Sequence, residues 1–154
     1  MIYFIGIGGI GMSALAGIFN SLGMRVAGSD IQNNIVTQGL EKQGIKVFYK
    51  QIAQNIKNIS KNNKIKFAVS SVAIPLDHPE ILELKRLNVP ILTYPQALGI
   101  LVNLLKTIGI AGTHGKTTTT AIVTQLLTQT GYDPYALIGA LFQFLGNKNF
   151  RLSS

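Results

Sequence analysis

Along the first hundred residues, short apolar runs alternate with segments of helical period. Ile2-Tyr3-Phe4-Ile5-Gly6-Ile7 is an apolar run that ends among glycines, and Met12, Leu15, Ala16, Ile18, Phe19 and Leu22 follow at near-helical spacing. This predicts a strand, a tight turn and a helix that Gly23 terminates. The alternation continues with strands over residues 25–29, 46–49 and 66–71 and helices over residues 35–43 and 52–59. Asp77 and Glu80 have the spacing of a capping box for a helix to Leu87, with Pro79 in its first turn. Thr93 and Gln96 repeat that spacing for a helix to Leu105, and residues 89–92 between them form a short strand. Strands that alternate with helices pair in parallel through crossovers, so residues 1–105 are expected to form a Rossmann-like, doubly wound parallel α/β sheet. Beyond it the pattern predicts a buried strand over 107–111, a loop over 112–117, a helix over 118–130 and a strand over 135–138. Residues 106–154 therefore read as the truncated start of a second α/β unit, too short to bury a core of its own.

Composition narrows the chemistry. The 154 residues are 47% hydrophobic and 13% charged, which excludes long disorder. Cysteine is absent, so a disulfide framework, a cysteine-ligated metal and a thiol nucleophile are excluded. Apolar runs fall short of the roughly 18 residues of a membrane span, and the first residues lack the basic region of a signal peptide, so a cytoplasmic protein with no membrane association is expected. The net charge of +8 would suit a polyanionic partner. Its placement argues otherwise, because Lys42, Lys46, Lys50, Lys57, Lys61, Lys64 and Lys66 are interleaved with asparagines rather than aromatics. A solvated surface is the expectation there, and a nucleic-acid face is not.

Two loops carry candidate chemistry. Gly6-Ile7-Gly8-Gly9-Ile10-Gly11 is a G-x-G-x-x-G between strand and helix, and Asp30 ends the second strand. Glycines let backbone N–H groups approach a diphosphate at a helix N-terminus, and a carboxylate at that strand end can hold a ribose hydroxyl. The motif does not choose among nucleotides, and a purely structural glycine turn is its bland alternative. The second loop, Gly112-Thr113-His114-Gly115-Lys116-Thr117-Thr118, ends as a P-loop does, although Ile110 stands where the first glycine of the usual motif belongs. There the amides would wrap phosphates, Lys116 would neutralise the β and γ oxygens, and Thr117 would ligate Mg²⁺. His114 either contacts the nucleotide or fills the loop. His78 reads as an exposed helix-start residue, and Ser70 and Ser71 end the fourth strand at the edge where open α/β sheets bind ligands. The lack of a G-x-S-x-G elbow and of metal-spaced His, Asp and Glu leaves hydrolase and zinc readings unsupported.

Gly6 to Ser13, then Gly28-Ser29-Asp30, Ser70-Ser71-Val72-Ala73-Ile74, and above all Ala111-Gly112-Thr113-His114-Gly115-Lys116 with the four threonines Thr117, Thr118, Thr119 and Thr120 resemble the Mur ligases. The likeness is greatest to the members that join L-alanine to UDP-N-acetylmuramate, and the murein tripeptide ligases share these motifs. The resemblance implies a UDP-sugar-binding domain over 1–105, the incomplete beginning of a central ATP-binding domain over 106–154, and a C-terminal ligase domain absent from these residues. It implies an ATP-dependent, Mg²⁺-requiring amide-bond ligase of peptidoglycan precursor synthesis, with UDP-N-acetylmuramate and L-alanine as substrates and an acyl phosphate intermediate. Carried over, Gly112, Thr113, His114, Gly115, Lys116, Thr117 and Thr118 bind ATP, with Lys116 catalytic and Thr117 on the metal. Gly8, Gly9, Gly11, Met12, Ser13, Asp30, Ser70 and Ser71 bind the UDP-sugar. Two departures stand out: Ile138-Gly139-Ala140 occurs where a pair of glycines is expected, and the acidic segment that carries the family's catalytic carboxylates is missing. The chain alone is therefore expected to lack ligase activity, as a fragment, one half of a split enzyme served by a second polypeptide, or a decaying gene product. A stand-alone nucleotide-binding module is the non-enzymatic alternative, and a nicotinamide-binding dehydrogenase domain is the least favoured. Leu137, Ile138, Leu141, Phe142, Phe144 and Leu145 are apolar residues in want of a cover, so residues 106–154 are expected to be labile by themselves.

Overall fold

The computed structural model describes residues 1–145 and 148–153, with the side chains of Leu141, Phe144, Lys148 and Asn149 outside that description. It divides into two compact units, Met1–Leu104 and Leu105–Ser154.

In the first unit the strands are β1 (Ile2–Ile5), β2 (Val26–Ser29), β3 (Lys46–Phe48), β4 (Phe67–Ser70) and β5 (Ile91–Thr93), and the helices are α1 (Ile10–Ser21), α2 (Ile35–Lys42), α3 (Ala53–Asn62), α4 (Pro79–Arg86) and α5 (Tyr94–Leu104). All pairings are parallel, in the order β3-β2-β1-β4-β5. This is the doubly wound sheet that the alternation of periods predicts. β1 is central and buried along its whole length, which explains why its four residues are all apolar or aromatic rather than alternating. On one face Tyr3 and Ile5 pack with Ile56 and Ile59 of α3 and Ile81 and Leu84 of α4. On the other, Phe19 of α1 lies 6.5 Å from the Phe4 ring and edge-on to Phe67 at 6.2 Å. All seven lysines of the 42–66 stretch are exposed.

Side chains cap some of the helix starts, and in one of them the expected cap is reversed. The Asn34 side chain accepts from the N–H groups of Val36 and Thr37 and closes α2 with a capping box. The Gln96 amide oxygen accepts from the Thr93 N–H at 2.8 Å, one half of the expected box. The box expected from Asp77 and Glu80 does not form: His78 is the N-cap, its Nδ1 accepting from the Glu80 N–H at 3.3 Å, and Glu80 is turned into the core. His78 is half-buried rather than exposed. A carboxylate that finds several donors inside outweighs a single capping bond at the surface.

The second unit contains α6 (Lys116–Gln129) and an antiparallel pair, β6 (Ala136–Phe142) and β7 (Lys148–Arg151), joined through a 3₁₀ turn at Gln143–Leu145. The buried strand expected over 107–111 is absent; that segment is irregular, and Ile108 is 70% exposed. A strand needs a neighbour to take its backbone groups, and among the described residues β6 pairs only with β7 and not with this segment. β7 itself has no predicted counterpart. Ala121, Thr124, Ala136 and Ile138 are buried between α6 and the hairpin, with Phe142 and Leu145 packed against them. Of the apolar residues read as needing a cover, the Leu141 and Phe144 side chains lie outside the described residues.

Candidate functional site

In the order β3-β2-β1-β4-β5 the winding reverses between β1 and β4, and ligands of open α/β sheets bind outside the carboxyl ends of the strands at such a point. Ile5 ends β1 in register with Ser70 of β4, which brings the glycine loop and Ser70-Ser71 to the same edge. Gly6 packs close to Ser71, the Ser71 N–H donates to the Ile5 carbonyl at 3.1 Å, and the Ser70 hydroxyl donates to the Ser71 carbonyl at 3.2 Å.

The loop is held from below by the end of β2. The Ser29 carbonyl accepts from the N–H groups of Gly6 at 2.8 Å and Ile7 at 3.0 Å, and Asp30 Oδ2 accepts from the Gly8 N–H at 2.7 Å. Asp30 Oδ1 accepts from the Gln32 N–H at 2.9 Å. Asp30, nominated for a ribose hydroxyl, thus also braces the loop. A Cβ on Gly8 would lie 2.8 Å from that carboxylate, and one on Gly11 would lie 3.0 Å from the Tyr94 ring. At Gly8 a side chain would force Asp30 to shift, and at Gly11 it would press on the Tyr94 ring. α1 starts at Gly9 with no side-chain cap, so no capping side chain stands between this helix start and an anion. Two of the nominated residues point elsewhere: Met12 is buried, and Ser13 is 2% exposed with its hydroxyl donating to the Ile10 carbonyl at 3.0 Å.

A cluster that sequence reading missed lies beneath this edge. Glu80 is fully buried and accepts from the Tyr3 hydroxyl at 2.8 Å, Asn55 Nδ2 at 2.7 Å and the Ser29 hydroxyl at 2.5 Å. Burial, and after it the nearby Glu80 charge, push the Tyr3 phenol far above its ordinary range. Tyr3 and Ser29 sit in apolar strand patterns and Glu80 at a capping position, so sequence spacing carries no signal of their meeting.

In the second unit the loop before α6 is built locally. Gly115 is the N-cap in the left-handed region, at φ 77°, without a side-chain cap. Lys116 opens the helix and folds back, its Nζ donating to the carbonyls of Gly112 at 2.6 Å and Thr113 at 3.2 Å. The ammonium is thereby held over the loop mouth, where a phosphate oxygen would meet it together with the loop amides. Gly112, Thr113, His114, Lys116 and Thr118 are exposed, and Thr117 is half-buried. Thr120, Thr124 and Thr128 donate to the carbonyls of Lys116, Thr120 and Thr124, each four residues back. The Thr117 hydroxyl has no such bond among the described residues; it faces Gly139 of β6, where a Cβ would stand 3.1 Å from it. Gly139 of the Ile138-Gly139-Ala140 departure is thus the glycine that this contact needs. Asp133, the acid of this unit, is held by Arg151 Nη2 at 2.6 Å and the Ser153 hydroxyl at 2.8 Å. Among the described residues no group of three His, Asp or Glu side chains is placed to hold a metal, and no helix is long and apolar enough to cross a membrane.

Comparison with known proteins agrees with this geometry. Residues 1–105 match the model of the Mur ligase family, catalytic domain. The UDP-N-acetylmuramate–L-alanine ligase of Gloeobacter violaceus is 42% identical over 152 residues, 99% of this chain and 32% of that protein. The enzyme of the same name from Brachyspira hyodysenteriae is 41% identical over 90% of this chain and 29% of its own length. Among solved structures, the UDP-N-acetylmuramate–alanine ligase of Thermotoga maritima superposes with a TM-score of 0.82 at 32% identity, covering 99% of this chain and 34% of that one. The UDP-N-acetylmuramate:L-alanyl-γ-D-glutamyl-meso-diaminopimelate ligase of Neisseria meningitides gives the same TM-score at 29% identity, covering 98% and 46%. The chain spans about a third of the length of the curated relatives it matches. With a parallel sheet whose glycine loop sits at the switch point, a G-K-T loop with its lysine turned over the mouth, and a family match over two thirds of its residues, the chain belongs to the Mur ligase family.

Proposed function

We propose that this chain is the nucleotide-binding part of a cytoplasmic, ATP-dependent ligase that joins L-alanine to UDP-N-acetylmuramate in peptidoglycan precursor synthesis. Residues 1–105 take the uridine diphosphate sugar at the carboxyl edge, and residues 106–154 begin the ATP-binding domain. The observation that carries the reading is Lys116, pinned by two carbonyls over a loop whose helix start is left uncapped. A dehydrogenase-type Rossmann domain has no use for such a second loop.

In the reaction, the muramoyl carboxylate oxygen attacks the γ-phosphorus, ADP leaves, and the alanine amine then displaces phosphate from the acyl carbon. Lys116 draws negative charge toward the loop as the phosphoryl group transfers, and the amides of residues 112–116 hold the remaining oxygens in line. The Thr117 hydroxyl, without a bond among the described residues, would be one ligand to Mg²⁺, which would supply charge neutralisation for the transferring phosphoryl group. At the other loop, the N-terminal end of α1, which has no side-chain cap, receives the diphosphate, Asp30 holds the loop backbone at Gly8, and Ser70 and Ser71 flank the bound sugar nucleotide.

Calorimetric titration of the chain with UDP-N-acetylmuramate and with NAD tests the first unit. Binding of the uridine compound alone supports the proposal, whereas NAD binding without it refutes the proposal. The equal TM-score to the Neisseria meningitides ligase favours a second reading, a murein peptide ligase that takes a tripeptide. Assay of a full-length relative with L-alanine and with the tripeptide separates the two.

A further inference from the structure

Three consecutive loop amides hang on two consecutive residues: the Ser29 carbonyl holds Gly6 and Ile7, and the Asp30 carboxylate holds Gly8. What fixes Ser29 in turn is its side chain. That hydroxyl, fully buried, donates to Glu80 at 2.5 Å and accepts from Gln51 Nε2 at 3.2 Å. Glu80 reaches it from α4, on the far side of β1, and is itself located by Tyr3 in β1 and Asn55 in α3. Asn55 Nδ2 also donates to the Lys50 carbonyl, which ties the loop after β3 to the same carboxylate. Among the described residues no lysine, arginine or histidine forms an ion pair with Glu80. A fully buried carboxylate held by neutral donors is a costly choice for packing alone, since an apolar residue of similar volume would fill the site.

We propose that Glu80 is a positioning residue of the glycine loop, transmitting the placement of α4 through Ser29 to the amides of Gly6, Ile7 and Gly8. The proposal rests on the reading of that loop as a diphosphate site. Those three amides are bonded inward, so what they fix is the loop backbone that leads into α1; a backbone that receives a diphosphate must be placed to a few tenths of an ångström, and a carboxylate anchored at three points provides that placement from outside the loop.

The test compares Ser29→Ala, Glu80→Gln and the core control Ile65→Ala in the whole chain. Three readouts are taken: melting temperature, UDP affinity by calorimetry, and amide exchange at Gly6, Ile7 and Gly8 against Val69 of β4. Ser29→Ala removes one hydroxyl that never touches the ligand, and it is expected to weaken UDP binding by about tenfold. It should also speed exchange at the three loop amides while Val69 stays protected. Glu80→Gln keeps the shape and acceptors toward Tyr3 and Asn55 but sets an amide against Ser29, and it should show the same signature. Ile65→Ala, which trims the same core without touching the Glu80 network, should lower the melting temperature and leave both loop exchange and UDP affinity unchanged. Loop exchange and affinity that stay at wild-type values in Ser29→Ala and Glu80→Gln overturn the proposal and leave the diphosphate reading intact. Faster exchange spread equally to Val69 also overturns it, because the role is then general stability. If the wild-type chain takes no UDP while the loop amides still respond, the positioning stands and the diphosphate reading falls.

Discussion

The two glycine-rich loops end alike, in a helix that starts on a glycine with no side-chain cap, and differ in what holds them. The loop over residues 6–11 is braced by β2, flanked by Ser71 and Tyr94, and underlain by a core whose central strand is fully buried. The loop over residues 112–118 is exposed, and its bracing comes from Lys116 bonding to carbonyls of its own loop. The first is therefore pre-shaped by the domain, and the second is shaped by its ligand group. A loop imposed by distant residues can be damaged from afar, whereas a self-closed loop is damaged only by changing its own residues.

The largest expected effect contrasts a buried ring of the first unit with an exposed leucine of the second. Phe19→Ala removes a fully buried ring between Phe4 and Phe67 and should cost about 3–5 kcal/mol. Leu126→Ala in α6, where the side chain is 56% exposed, should cost less than about 0.5 kcal/mol. Urea denaturation of the whole chain measures both, and equal losses would break the contrast.

Lys116→Ala should leave the urea midpoint unmoved, because the side chain is exposed, and weaken ATP binding by about 1.5–3 kcal/mol through loss of a charge-assisted contact. In a complete enzyme the same change should abolish turnover. Unaltered turnover would remove Lys116 from the reaction. The matching change in the first loop is Gly8→Ala, whose Cβ would press on Asp30 Oδ2 and break the bond that braces the loop. Here stability and UDP affinity should fall together, by about 1–3 kcal/mol of unfolding free energy. If Gly8→Ala lowers affinity alone, the first loop is no more rigidly built than the second.

The smallest effect is in pH. The Tyr3 phenol is raised from 10.0 by burial and by Glu80, so the folded state keeps a proton that the unfolded state releases. Its stabilisation is complete below pH 10.0 and is lost as pH rises beyond that value. The urea midpoint should fall on the alkaline side with this residue protonated until unfolding, and Tyr3→Phe should flatten the fall. An unchanged slope in that variant would detach Tyr3 from the alkaline loss.

How far the sequence went is clear from particular residues. The alternation of an apolar run at residues 2–5 with helical spacing from Met12 to Leu22 is local, and it specifies strand, turn and helix before any partner exists. Both glycine-rich loops are legible for the same reason, since their backbone demands are met within a few residues. The strand expected over 107–111 is absent because an apolar run becomes a strand only when paired with another, and no strand among the described residues pairs with it. Glu80 was misread because a carboxylate after Pro79 suits a cap as well as it suits a core; three donors from β1, β2 and α3 settled its direction. The approach of Gly139 to Thr117 likewise joins residues far apart in sequence. By itself the sequence determined the order of the elements and the two loops, because these follow from propensity and spacing over short stretches. The tertiary structure alone decided which polar groups meet beneath the carboxyl edge, because a buried hydrogen bond depends on where distant segments bring its partner, and neighbours in sequence do not record that.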